Sequence, residues 1–169
     1  MRYADGPTAE ASIHVEAPPE VLWPLISDIH LVAALSAEVQ EVAWLGDVHE
    51  PTLGAAFHGR SRHPAVGEWT TTSRVVECTP PRVFAWAVEN PDNPTATWRF
   101  ALTPRAGGTD LQQWARMGPG ESNLTVAIRA MPHKEERIVA VRLREWQAAI
   151  EANLAALKDL AERSGVIRR

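Results

Sequence analysis

The residues best equipped for chemistry in this chain are six histidines, one cysteine and a scatter of carboxylates, amides and hydroxyls. A zinc site asks for His, Cys, Asp or Glu at ligand spacing. His58 and His63 lie five apart on one strand-like run, and their opposite parity sends them to different sides; His14, His30, His49 and His133 are isolated. There is no HExxH or CxxC, so no metal is expected. Cys78 stands at the end of a strand-like run just before Pro80-Pro81. No base is in evident reach to lower its pKa, so it reads as a structural thiol. GxSxG, P-loop and GxGxxG patterns are absent, which removes support for serine-hydrolase, NTPase and dinucleotide chemistry. No cofactor is expected, and no catalytic residue is assigned on residue type alone.

Bulk properties narrow the field further. The 169 residues suit one domain, 1–169, with its core over about 10–162. A formal net charge of −4 argues against nucleic acid or an anionic membrane as partner, since either favours a basic face. Arginine far outnumbers lysine and alanine is abundant, which reads as a GC-rich bacterial genome rather than a binding signal. A lone cysteine excludes an internal disulfide and fits a reducing cytoplasm. The opening "MRYADGPTAEAS" has no apolar h-region, so no signal peptide is expected. No stretch approaches the roughly 20 apolar residues of a membrane span. The sequon Asn123-Leu124-Thr125 therefore has no glycosylating compartment to meet.

The elements that must position any site follow from periodicity. Residues 1–9 read as a frayed start and 11–17 as a strand. Pro18-Pro19 cannot extend a sheet ladder but suits the first turn of a helix, which should run to about Asp28. "HLVAAL" reads as a second short turn. Six strand-like runs follow, at 39–46, 55–63, 68–78, 82–89, 95–103 and 109–117, split by short turn-forming segments that favour antiparallel neighbours. The segment 117–132 has no clear period; Gly118, Pro119 and Gly120 give it a bend, and it serves as a gating loop or a plain connection. Val139, Leu143, Trp146, Ile150, Leu154, Leu157 and Ala161 then follow 3–4 spacing, one long amphipathic helix with Gly165 as a stop. One long helix laid across a curved antiparallel sheet is an α+β architecture.

Period-2 alternation separates the two faces of that sheet. One parity carries Phe57, Gly59 and Ser61, then Trp69, Thr71, Ser73 and Val75, then Phe84, Trp86 and Val88. Trp98, Phe100 and Leu102 continue it, with Leu111, Gln113 and Ala115 on the last strand. The other parity carries His58, Arg60, Arg62, Arg74, Arg99, Asp110 and Gln112 and should face water. The aromatic face either packs solidly against the long helix or lines an apolar pocket with a few placed polar groups.

Several stretches together resemble the START/Bet v 1-like (SRPBCC) superfamily, specifically its polyketide cyclase/dehydrase-like group. They are "IHVEAPPEVLWPLISD", "LGAAFHGRSR" before "EWTTTSRVVECTPPRVFAWAV", "TWRFALTPRAGGTDL" and the closing "NLAALKDLAE", over roughly 10–162. The resemblance implies a helix-grip fold: a seven-stranded antiparallel sheet wrapped around the C-terminal helix, with two short helices between strands 1 and 2. It also implies a hydrophobic cavity between sheet and helix. Family members include polyketide aromatase/cyclases, lipid and hormone carriers and chaperone cofactors, so fold alone does not name the function.

The ligand-binding residues expected on this basis are Phe57, Ser61, Trp69, Thr71, Ser73, Phe84, Trp86, Trp98, Phe100 and Gln113 from the sheet, with Arg142 and Trp146 from the helix. The expected partner is a hydrophobic small molecule, flat or polycyclic to suit Trp69, Trp86 and Trp98; a homodimer is compatible with it. Cyclisation or dehydration of a polyketone would need a base for an acidic α-proton and a donor for the enolate oxygen. Arg142, Gln113 and the hydroxyls of Ser61, Thr71 and Ser73 are the donors available, but no base appears, since Glu68 and Glu77 lack the parity or depth. Three functions stay open: a binder or carrier, an aromatase/cyclase or dehydratase, and a chaperone cofactor or interaction module.

Overall fold

A computed structural model describes residues 1–167. Seven strands, β1 (Thr8–Val15), β2 (Val39–Trp44), β3 (Ala56–His63), β4 (Gly67–Thr79), β5 (Val83–Val88), β6 (Ala96–Arg105) and β7 (Gly108–Met117), form one antiparallel sheet. Their order is β1-β7-β6-β5-β4-β3-β2, so all successive strands from β2 to β7 are neighbours and only β1 crosses over. Helices α1 (Pro19–Ile26) and α2 (Ile29–Leu35) lie between β1 and β2; α3 (Asn123–Ala130) and the 33-residue α4 (Glu135–Ile167) follow β7. This is the helix-grip arrangement the resemblance implies.

The register confirms the parity of the strands. Phe57 faces Ser73, Gly59 faces Thr71, and Ser61 faces Trp69; Trp86 faces Val75 and Trp98, and Phe100 faces Phe84 and Gln113. All of these lie on the concave face. Opposite-parity side chains form a mosaic of ion pairs on the convex face, Arg60 with Glu41 and Glu68, Arg99 with Glu77, and Arg105 with Asp110.

Helix α4 seals β1, one edge of the sheet. An edge strand leaves a row of backbone groups without a ladder partner, each of which must be satisfied otherwise. Gln147 Nε2 donates to the Glu10 carbonyl at 3.0 Å and Lys158 Nζ to the His14 carbonyl at 2.9 Å, while the Glu16 N–H donates to Glu162 Oε1 at 3.1 Å. The Pro18-Pro19 corner is fixed from the sheet, where the Thr109 hydroxyl donates to the Ala17 carbonyl at 2.7 Å.

Four expectations are corrected. The opening residues are not frayed: Tyr3 is buried in a 3-10 turn and its hydroxyl donates to the Gly120 carbonyl at 2.6 Å, so β1 begins at Thr8. Asp28 does not end the first helix but starts the second, accepting the backbone N–H of His30 and Leu31 at 2.9 and 3.2 Å. The segment after β7 holds a helix, α3, capped by Ser122, where too few apolar residues recur to give a period. Gly165 is no stop, since α4 continues to Ile167.

Candidate functional site

The concave face is built in two tiers. The three phenylalanines of the chain, Phe57, Phe84 and Phe100, form a buried floor. Trp44, Trp86 and Trp98 stand among them and are only half-buried. Ring centroids run from Trp44 to Phe57 at 5.5 Å, Phe57 to Trp86 at 6.2 Å, and Trp86 to Phe84 and Phe100 at 5.7 and 6.2 Å. Such tilted and edge-on contacts satisfy the ring quadrupoles. Trp146 descends from α4 onto Trp98 at 4.8 Å, the tightest aromatic contact on this face.

Polar groups on the face are few. Ser73 is buried, Ser61 and Thr71 are half-buried, and Gln113, 1% exposed, accepts a hydrogen bond from Asn153 Nδ2 of α4 at 3.2 Å. Trp69 sits beyond the floor near the β3–β4 hairpin, half-exposed and outside the packed aromatic cluster. Ten of the twelve expected ligand residues thus share the concave parity of the sheet, and the other two, Arg142 and Trp146, stand on α4. Trp146 lies in the space between sheet and α4 against Trp98, and the two recesses on the surface lie elsewhere. One, of about 550 Å³, is formed by Asp47–Ala55; the other, of about 250 Å³, lies among Arg2, Pro132, His133, Glu135 and Glu136.

Near the β3–β4 hairpin the fold assembles a charged cluster of four residues from three places. Arg142 of α4 donates through Nη1 and Nη2 to both carboxylate oxygens of Glu38, just before β2, with Nη2 at 2.8 Å, and through Nη1 to Glu145 at 2.6 Å. A two-pronged guanidinium–carboxylate contact of this kind is directional as well as attractive. His63, the last residue of β3, places Nε2 3.2 Å from Glu145 Oε2. Its Nδ1 accepts the Ala65 N–H at 3.0 Å, so the proton must sit on Nε2, which donates to Glu145. Burial opposes the charge of Arg142, but its bonds to Glu38 and Glu145 outweigh that and hold the guanidinium above its ordinary range. Burial likewise works against ionised Glu145, and the bonds from Arg142 and His63 overcome it, keeping its carboxyl below the usual range.

His63, Glu38 and Glu145 were missed in the sequence. His63 shares parity with Ser61, two residues earlier, and counting from Ser61 places it on the concave face. Glu38 and Glu145 carry no local signal, because they meet only through Arg142 across 104 residues of chain. Ligand atoms of Glu38, His63 and Glu145 lie within 4.8 Å of one another, a donor set a divalent ion can use. Two features oppose that use: Arg142 already supplies the cation between the carboxylates, and the His63 lone pair at Nε2 is replaced by a proton. Cys78, half-buried at the far end of β4, has its thiol pushed up by burial, which disfavours the thiolate. Among the described residues no helix is long and apolar enough to cross a membrane.

A family model described as polyketide cyclase / dehydrase and lipid transport matches residues 7–162. Among solved structures, a polyketide-cyclase-like protein from Corynebacterium glutamicum is 28% identical, with 92% of this chain covering 91% of that one at a TM-score of 0.64. The di-domain ARO/CYC StfQ from the steffimycin biosynthetic pathway is 19% identical at a TM-score of 0.69; this chain, 94% covered, spans about half of it, 52%. An AHSA1-like protein from Aeromonas hydrophila is 14% identical, covers 94% of each chain and has a TM-score of 0.57. Among curated proteins none matches the sequence.

Proposed function

Because the chain belongs to the polyketide cyclase / dehydrase and lipid transport family, we propose that it binds a flat, hydrophobic, polyketide-like small molecule in the groove between the sheet and α4. One observation carries this reading: tryptophans on the concave face are only partly buried above a fully buried phenylalanine floor. A face meant only as core would bury them, since each large apolar side chain gains about 1.5–3 kcal/mol on full burial. The ligand lies over Trp86 and Trp98 in place of the Trp146 ring, and the Gln113–Asn153 amides, with Ser61, Thr71 and Ser73, offer hydrogen bonds to its oxygens. Arg142 and Trp69 border the open end. The single free thiol supports a reducing, cytoplasmic setting.

A second reading, cyclase or dehydratase action on a polyketide-type substrate, is favoured by one observation: a histidine oriented by a carboxylate on the concave face. Binding leads because both nitrogens of His63 are engaged, leaving no free lone pair for proton abstraction. Both readings are tested by native mass spectrometry of the protein from its own host, with tryptophan quenching by an unsubstituted anthraquinone. A bound small molecule and saturable quenching are expected. A ligand-free protein that anthraquinone does not quench overturns the proposal, and conversion of a poly-β-ketone, reduced by Gln113→Ala more in turnover than in binding, moves the balance to the enzyme.

A further inference from the structure

The electrostatics of the groove are set at one place. Among the described residues, concave-parity positions on β1–β7 carry no Asp, Glu, Lys or Arg, and His63 is their only histidine. The formal charges that meet at the hairpin end of this face belong to Glu38, Arg142 and Glu145. Two carboxylates stand against one guanidinium, so these three side chains sum to a formal charge of −1. These side chains are 20–38% exposed, deep enough that water screens them only in part.

We propose that this cluster makes the groove select uncharged ligands, with Glu38 and Glu145 as its specificity-determining residues. The inference rests on the reading above that the groove is the binding face. An incoming carboxylate or sulfonate meets a net negative field. It can reach Arg142 only by displacing Glu38 or Glu145, and the displaced carboxylate then keeps its desolvation cost without its partner. A neutral ketone or phenol meets no such penalty. Discrimination thus comes from a built-in repulsive element as much as from apolar attraction.

Two dyes that share an anilinonaphthalene body separate charge from shape: neutral N-phenyl-1-naphthylamine and anionic 8-anilino-1-naphthalenesulfonate. Wild type should bind the neutral dye about tenfold more tightly, as one unit of repulsion at partial screening implies. Glu38→Gln/Glu145→Gln, which reverses the cluster to net positive, should bring the two affinities together or invert them. Glu41→Gln, whose parent pairs with Arg60 on the convex face, should leave the ratio unchanged. Trp98→Ala should weaken both dyes, locating them in the groove. Should the double variant fail to fold by circular dichroism, salt serves with wild type alone: raising it should strengthen only the anionic dye. Equal affinities insensitive to salt overturn the selectivity while leaving the binding proposal intact. Failure of both dyes to bind, or indifference of both to Trp98→Ala, overturns the binding proposal itself.

Discussion

The two halves of α4 carry the same apolar stripe and put it to different uses. In the C-terminal half Ile150, Leu154, Leu157 and Ala161 are all 0–2% exposed, packed against β1, α1 and the phenylalanine floor. In the N-terminal half only Val139 is buried; Leu143 and Trp146 stay half-exposed, and Arg142 and Glu145 reach across to Glu38 and His63. Side-chain period alone does not distinguish core from binding face. What distinguishes them is how fully the opposing wall buries the stripe: completely in the second part of the helix, and only in part where it meets Trp98.

The contrast can be broken at its packed end first. Leu154→Ala should cost about 2–5 kcal/mol in chemical denaturation, because a fully buried leucine leaves a cavity its neighbours cannot fill. Trp146→Ala, a larger truncation by volume, should cost less, about 1–2 kcal/mol, since that ring is only partly buried. It should also raise affinity for N-phenyl-1-naphthylamine by uncovering Trp98. If it destabilises as much as Leu154→Ala and abolishes dye binding, the two halves of the helix are equivalent and the distinction fails.

Smaller effects sharpen the comparison. The Glu145 carboxyl is depressed in the folded protein, so its stabilising contribution is full above the ordinary carboxylate pKa and is lost as pH falls through the lowered folded value. Thermal melts of wild type should therefore fall more steeply than those of Glu145→Gln as pH drops below about 4.5. Arg99→Ala, on the convex face with Glu77, should change stability by less than about 1 kcal/mol, as exposed pairs generally do. A larger loss there would mean that the convex mosaic contributes to holding the sheet's curvature.

Legibility in the sequence divides along the same line. Period-2 and 3–4 patterns exposed the concave face and the α4 stripe, because both are local consequences of backbone geometry that tertiary packing preserved. Residue types also separated wet from dry faces, as the Arg60, Arg99 and Arg105 pairs show. What escaped is what distant segments make together. Tyr3 is anchored by Gly120, 117 residues away, and Glu38 meets Glu145 only through Arg142. Helix α3 depends on Leu124 and Ile128 docking against the Tyr3, Met117 and Val139 cluster rather than on its own period. Nor did alternation reveal whether the groove is filled, since Trp146 over Trp98 is a matter of rotamer and helix placement.

The sealing of β1 by α4 has a consequence for the order in which the chain is made. β1 pairs only with β7, and its other edge is closed only by side chains of α4, 137 to 146 residues further along. The β2–β7 meander can zip up hairpin by hairpin as it is synthesised, whereas β1 must wait unpaired for both its partners. Its outward residues Glu10, Ser12, His14 and Glu16 keep the waiting strand polar along one side. Of the sheet's seven strands, the earliest made is the last to find its place.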